Sequence, residues 1–195
     1  KSVLLLTHDD EGQESRLQAA LDVTRALGGH LSCLDVISPP DIAAYAGYGG
    51  YIETTIIDRE RDRESANKAR VKARLASEDV AWDWCDTVGF KAESVEAASA
   101  LADLIVLSIR LSDDVPSDVR NLAGQATRKA RCPVLAVPAS ARGIDLSGPV
   151  VVAWDGSREA EEALREAVPL LALSSNVVLL GVGDPEGPYT PEDAA

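Results

Sequence analysis

The chain has 195 residues, and its 19 Lys and Arg residues against 32 Asp and Glu residues give a formal net charge of −13. Such an acidic surface repels nucleic-acid phosphates, which argues against DNA or RNA as partners. No apolar run approaches the ~20 residues of a membrane-spanning helix, so the sequence predicts a soluble, cytoplasmic protein with no membrane partner.

Hydrophobic periodicity predicts strands that alternate with helices. The predicted strands cover residues 3–7, 31–37, 80–86, 103–108 and 133–137. Four helices are predicted between them, the first with an apolar stripe from Leu17 to Leu27, the others over 56–77, 91–101 and 117–130. This alternation predicts an α/β fold with a parallel five-stranded sheet and helices on both faces.

The predicted helix 56–77 is heavily charged. Its only small apolar stripe consists of Ala66, Ala69, Ala73 and Ala76. We therefore expect the alanines to face the sheet and most of the charges to be solvated.

The three cysteines give no sign of a special site. Cys33, Cys85 and Cys132 are widely spaced, and no CxxC pair occurs. This spacing argues against a disulfide framework or a zinc site, and no metal site is predicted. Each cysteine falls in or beside a predicted strand, so we expect all three to be buried apolar residues.

The segment that follows Gly148 repeats the start of the chain. Thr7 corresponds to Trp154, Leu17 to Leu164, and both pairs are 147 residues apart. The repeat predicts a first domain over 1–138, a linker over 139–149 and the start of a second domain over 150–195. A strand–helix–strand fragment of this size buries its apolar faces poorly, so we expect either further sequence after Ala195 or packing on the first domain.

Ligands of such sheets bind outside the carboxyl ends of the strands, and an acidic cluster follows the first strand. His8, Asp9, Asp10 and Glu11, together with Asp86 after the third strand, resemble a metal-dependent phosphoryl-acceptor site. A receiver domain also needs a Lys after its fifth strand, where this chain has Pro138-Ala-Ser-Ala. That difference argues against a receiver domain. A metal-dependent phosphotransfer enzyme with its site at Asp9 and Asp10 stays as an alternative function.

His8 stands next to two carboxylates, so it can act as a base that a carboxylate orients. No GxSxG elbow or other activated nucleophile accompanies it. A structural or solvent-facing role is therefore favoured, and no catalytic residue is assigned.

The turn Asp155-Gly156-Ser157 of the repeat permits two interpretations. The carboxylate of Asp155 can accept hydrogen bonds from a sugar or a base, and Ser157 fits the N-cap of the following helix. Any strand-to-helix turn favours these residue types. Helix capping therefore explains the pattern as well as nucleotide contact does.

This turn and two other motifs resemble the universal stress protein family. The other motifs are the strand Asp103-Leu-Ile-Val-Leu-Ser108 and the ending Arg131-Cys-Pro-Val-Leu-Ala-Val-Pro138, which Gly124 precedes. The match covers 3–138 as one domain and 150–182 as the start of another, like the tandem two-domain type. The resemblance implies a Rossmann-like fold of the adenine nucleotide α-hydrolase kind and a stress-response regulatory or binding role.

Some members of that family bind ATP through an acidic residue after strand one and a loop Gly-x2-Gly-x9-Gly-Ser/Thr after strand four. In the first domain, Ser108 and Leu111 replace the leading glycines when the motif is counted from strand four. Counted back from Gly124, the replacements are Leu111 and Asp114, and Gln125 replaces the final Ser or Thr. Glycine allows backbone N–H groups to approach phosphate oxygens, so we expect this degenerate domain not to bind ATP.

The second domain keeps Asp155, Gly156 and Ser157 in the motif positions. The resemblance implies ATP as its ligand, with Val182 as a backbone contact to the base and a nucleotide hydrolase as an enzymatic alternative. Domains of this family commonly pair through their fifth strands. An internal pseudo-dimer of the repeats is therefore expected, with residues 134–137 as the contact edge and a homodimer as a further step.

Overall fold

The chain divides into two units, Lys1–Gly143 and Ile144–Ala195. The boundary lies inside the segment 139–149 that the sequence predicts as a linker. The computed structural model describes residues 1–37, 51–109 and 117–181, without the side chains of 51–61 and 117–121.

A parallel sheet of five strands organises the first unit, and it confirms the predicted fold class. Its strands are β1 (Ser2–Thr7), β2 (His30–Ile37), β3 (Ala81–Val88), β4 (Leu104–Ile109) and β5 (Val134–Pro138), in the order β3-β2-β1-β4-β5. Strands β2 and β3 lie in turn on one side of β1, and strands β4 and β5 lie in turn on its other side. The topological switch point, where ligands bind in open α/β sheets, therefore lies between β1 and β4.

Helices cover both faces of this sheet. They are α1 (Gln13–Ala26), α2 (Tyr51–Leu75), α3 (Lys91–Ser99) and α4 (Ser117–Lys129). Val95 of α3 and two alanines of α4 form one core with alternate strand residues, which are Leu4, Leu6, Leu34, Val36, Ile105 and Leu107. The strand residues between these point to the opposite face, where α1 contacts β1, β2, β4 and β5. Among the described residues, no helix combines the length and apolar character needed to cross a membrane.

The buried side of α2 differs from the prediction. Asn67, Val71 and Leu75 are 4, 2 and 0% exposed, whereas all four alanines of the predicted stripe are exposed. Burial of a Val or Leu side chain removes more apolar area from water than burial of Ala. The two large side chains, spaced four residues apart, therefore decide which side of the helix faces the sheet.

The environment of Cys85 also differs from the prediction. Cys33 is buried and Cys132 is partly buried, but Cys85 is exposed. It lies on β3, the edge strand of the sheet. The main sheet contacts of α3 are with β1 and β2, so α3 leaves this part of the edge strand open to solvent.

The second unit consists of β6 (Pro149–Trp154), α5 (Arg158–Leu171) and β7 (Asn176–Gly181), and the two strands pair in parallel. This is the predicted strand–turn–helix–strand order. Val151 pairs with Val178, as Leu4 pairs with Ser32 in the first unit. The two units therefore begin with the same arrangement of elements.

One face of this strand pair is largely exposed. Val151, Val178 and Leu180 are 64, 45 and 54% exposed. In the first unit, Leu4 and Leu6 occupy the corresponding face of β1 and are each 5% exposed, because they join the core with α3 and α4. Within the described part of the second unit, no helix fills that role.

Candidate functional site

A buried guanidinium lies at the end of β1 in the first unit. Arg16, near the start of α1, is 2% exposed. Its Nε donates to the carbonyl oxygen of Leu6 at 2.7 Å, and its Nη2 donates to that of His8 at 3.0 Å. The side chain thus satisfies the two carbonyl groups at the end of the strand.

The remaining bonds of Arg16 join this turn to β4. Nη1 donates to the Asp10 carboxylate and also to the hydroxyl of Ser108 on β4. Packing is close at the same point, because a Cβ atom on Gly12 would lie 2.5 Å from Ser108 Oγ. The switch point between β1 and β4 is therefore occupied by groups of the protein itself, an arrangement that the sequence analysis missed.

His8 is oriented by Glu64 of α2 instead of by its acidic neighbours in the sequence. Its Nδ1 lies 3.2 Å from Glu64 Oε1. Burial and then the nearby cations, Lys91 first among them, lower the pKa of His8 to about 4. The imidazole is neutral at pH 7, so Nδ1–H can donate to the carboxylate. The hydroxyl of Ser108, at the end of β4, bonds to Arg16.

Basic residues of α2 neutralise the other strand-end carboxylates. Asp9 accepts from Arg63 at 2.6 Å and from Arg70 at 2.9 Å, and both bonds lower the pKa of Asp9. Asp86 accepts from Lys68 at 2.6 Å, which lowers its pKa as well. Arg63 and Arg70 are nevertheless 55 and 65% exposed, so the charges of this helix are solvated as expected while they also form these surface ion pairs.

These pairings also bear on the phosphotransfer alternative. Asp9 and Asp10 are held by different arginines. Among the residues that the structure describes, no group of three or more His, Cys, Asp or Glu side chains could hold a metal ion.

The described positions of the degenerate phosphate loop lie in different elements. Ser108 is in β4, whereas Gly124 and Gln125 are in the middle of α4. Backbone N–H groups inside a helix bond to carbonyl groups four residues earlier, so those of Gly124 and Gln125 are not free for phosphate. Leu111 and Asp114 lie outside the described residues.

The turn of the second unit has the predicted capping geometry. Asp155 Oδ1 accepts from the Ser157 backbone N–H at 2.9 Å, and Ser157 Oγ accepts from the Ala160 N–H at 3.1 Å. Gly156 has a φ of +75°, which favours glycine. Hydrogen bonds from Ser157 lower the pKa of Asp155. The N-cap role of Ser157 is confirmed.

A cavity of about 330 Å³ lies at this turn. Its lining consists of Ala153, Trp154, Asp155, Ser157, Glu159 and Ala160. Trp154 is 7% exposed, and its buried indole Nε1 has no hydrogen-bond partner among the residues that the structure describes. The sequence analysis identified Asp155 and Ser157 but missed Trp154, although a Trp at the position of Thr7 was a visible difference between the repeats. Val182, the predicted base contact, lies outside the described residues.

The sheet order and the alternation of strands and helices define a five-stranded, Rossmann-like α/β protein. Solved structures with a similar fold are universal stress proteins. One from Archaeoglobus fulgidus has a TM-score of 0.66 at 18% identity, and the match covers 93% of this chain and 67% of that chain. Proteins from Lactobacillus plantarum and Burkholderia pseudomallei have TM-scores of 0.54 and 0.53 at 16 and 23% identity. These two matches each cover 70% of this chain, and 96 and 95% of the other chains.

At these identities the comparison concerns the fold. No protein-family model and no curated protein matches the sequence.

Proposed function

We propose that the chain is a universal stress protein of the tandem two-domain type, a cytoplasmic regulatory or binding protein of the stress response. Its second domain binds ATP, and its degenerate first domain does not. The observation that carries the proposal is the cavity at the β6–α5 turn, with Asp155 and Ser157 in its lining.

Two observations support the tandem organisation. The similarity to the Archaeoglobus fulgidus protein covers 93% of this chain, so it extends beyond Gly143 into the second unit. The exposed face with Val151 and Leu180 corresponds to a face that α3 and α4 cover in the first unit. Helices equivalent to α3 and α4 would bury it.

The closed switch point supports the absence of ATP from the first domain. Arg16 bonds to β1, to the following turn and to β4. A phosphate group there would meet the carboxylate of Asp10, and the backbone N–H of Gly124 is not free for it because Gly124 is inside a helix. Both effects oppose anion binding.

In the second domain, the carboxylate of Asp155 is exposed at the edge of the cavity and can accept hydrogen bonds from ribose hydroxyl groups. Val182 is the proposed backbone contact to the base. The two domains pair as an internal pseudo-dimer through fifth strands, with β5 as the edge strand of the first sheet, and two chains associate as a homodimer.

Isothermal titration of ATP into the purified protein tests the proposal. We expect the wild type to bind ATP. Asp155→Ala should bind it about tenfold more weakly or worse, which corresponds to a loss of ~1.4 kcal/mol in binding free energy. Asp145→Ala is the matched control, because Asp145 is an exposed aspartate that likewise accepts from a serine two residues later, at 3.0 Å. Absence of ATP binding by the wild type would refute the nucleotide function.

The same samples separate a binding protein from a hydrolase. A binding protein releases no more than one phosphate per bound ATP. Sustained release that disappears in Asp155→Ala would establish the enzymatic alternative instead.

A further inference from the structure

We infer that the outer edge of β3 binds a second copy of this chain. The two β3 strands pair antiparallel about a twofold axis at Cys85, and the pairing joins two five-stranded sheets into one. The inference rests on the proposed function only for the homodimer, whose contact surface it names, and it is independent of ATP binding.

The first argument is that the outer edge of β3 is open. β3 pairs with β2 on one side, and no other strand of the described chain pairs with it. The N–H of Gly89 donates to the carbonyl oxygen of Ile37 on β2 at 3.1 Å. The backbone groups of successive residues face opposite sides of a strand. The residues of β3 whose N–H and C=O groups face outward are therefore Trp82, Trp84, Asp86 and Val88.

The second argument is that this strand lacks the usual protection of an edge. Edge strands commonly carry Lys, Pro or a bulge, which prevents pairing with another chain. The eight residues of β3 include no Lys, Arg or Pro, and their register with β2 continues without interruption. Val88 is 73% exposed and Cys85 is exposed as well. The edge is therefore available to another strand.

The third argument is that the charges of β3 favour one register with a second copy. The outward-facing groups of both strands must meet, so the twofold axis passes through a residue. An axis at Asp83 or Asp86 places identical carboxylates opposite each other, which is destabilising. An axis at Trp84 brings together the two Lys72 side chains, whose Nζ atoms each lie 5.1 Å from the centroid of a Trp84 ring. An axis at Cys85 avoids both repulsions.

The register centred on Cys85 also creates favourable cross-strand pairs. These pairs are Trp82 with Val88, Asp83 with Thr87 and Trp84 with Asp86. Aromatic side chains opposite β-branched ones stabilise a sheet, and Lys72 above its Trp84 ring meets a carboxylate of the second copy. The two Cys85 residues form a non-hydrogen-bonded pair, in which the Cα atoms lie about 4.5 Å apart. A disulfide can bridge that separation.

Sedimentation equilibrium tests the association of the purified protein at about 0.15 M salt, where charges more than ~8 Å apart are largely screened. We expect the wild type to dimerise. Val88→Pro should weaken dimerisation by about tenfold or more, because it removes an outward N–H from each strand and leaves the bonds to β2.

Ala136→Pro is the matched control, because it changes the opposite edge strand, β5, in the same way. The N–H of Ile105 on β4 donates to the carbonyl oxygen of Pro133 at 3.0 Å, so the N–H of Ala136 faces outward by the same alternation. This variant should associate like the wild type.

Disulfide trapping tests the register without a proline in the strand. Diamide oxidises two thiols to a disulfide and takes up the two electrons and two protons that they release. It should link wild-type chains through Cys85 and leave Cys85→Ser unlinked. In the double variant Cys85→Ser/Thr87→Cys, the thiols lie away from the axis and linkage should be about tenfold slower, because Cα atoms more than ~7 Å apart are not bridged.

Four outcomes would overturn the inference while ATP binding stands. They are a wild type that stays monomeric at about 1 mM, where even weak complexes are half formed, undiminished dimerisation by folded Val88→Pro, loss of dimerisation in Ala136→Pro alone, and equal linkage through positions 85 and 87. If the wild type dimerises as expected but does not bind ATP, only the nucleotide function fails.

Discussion

Arg16 Nη1 donates to both carboxylate oxygens of Asp10, at 3.0 and 3.2 Å, from a side chain that is only 2% exposed. Asp10 Oδ1 also accepts from the backbone N–H of Gly12 at 2.9 Å. The ion pair therefore holds the turn between β1 and α1 in shape. This turn lies at the topological switch point between β1 and β4.

Removal of Arg16 should destabilise the first unit strongly. Arg16→Ala removes the charged donor of Asp10 and one donor of two backbone carbonyl groups. Loss of one partner of a buried pair costs about 3–5 kcal/mol, and we expect the lower part of this range because the Asp10 side chain is 22% exposed. Urea denaturation measures this change in the free energy of unfolding. Lys129→Ala is the control, since Lys129 and Glu96 form an exposed pair at 3.3 Å and such pairs contribute about 0–1 kcal/mol. Similar values for the two variants would contradict the structural role of Arg16.

The close approach of Gly12 and Ser108 predicts energetic coupling between them. Gly12→Ala places a methyl group 2.5 Å from Ser108 Oγ, and overpacking of this kind costs about 1–3 kcal/mol. Ser108→Ala removes that oxygen, so the double variant should lose less stability than the sum of the two single variants. The double-mutant cycle measures the difference. Strictly additive effects would show that the turn relaxes without involving Ser108.

His8 should make the stability of the protein depend on pH. Its pKa is about 4 in the folded protein, against the ordinary histidine value of 6.5 that we take for the unfolded chain. Between these values the unfolded chain binds the proton more strongly, so the free energy of unfolding decreases as the pH falls from 6.5 to 4. The full effect of one such group is about 3 kcal/mol.

The difference between the wild type and His8→Gln isolates this contribution. Burial raises the pKa of Asp35, which produces an effect of the opposite sign in both proteins and cancels in the difference. Denaturation curves at pH 7 and pH 4.5 provide the measurement. If His8→Gln shows the same loss of stability as the wild type, another group is responsible.

The cysteines should differ widely in reactivity. Cys85 is exposed, whereas Cys33 is buried and burial raises its pKa to about 12. Because the thiolate is the reactive form, a thiol reagent should modify Cys85 rapidly in the native protein and Cys33 only after unfolding. Cys85→Ser should abolish the rapid phase, and Cys33→Ser should leave it intact. Rapid modification of Cys33 in native protein would indicate that the sheet face under α1 and α2 opens readily.

The alternation of strands and helices could be read from the chain because it depends on local hydrophobic period. Each predicted strand of the first sheet agrees with the structure to within two residues at either end. The candidate site was predictable only in part. Asp155 and Ser157 form a local turn whose hydrogen bonds span two or three residues, so their residue types indicate their geometry.

The order of strand and helix elements, their periodicity and the capping turn of α5 were determined by the sequence alone, since each depends on residues a few positions apart. The contacts of the switch point were decided by the tertiary structure. Arg16 meets Ser108 across 92 positions, and His8 is oriented by Glu64 of α2 instead of by the adjacent aspartates. No local pattern encodes such partners, because the folded sheet brings them together only when β4 lies beside β1 and α2 packs against the sheet.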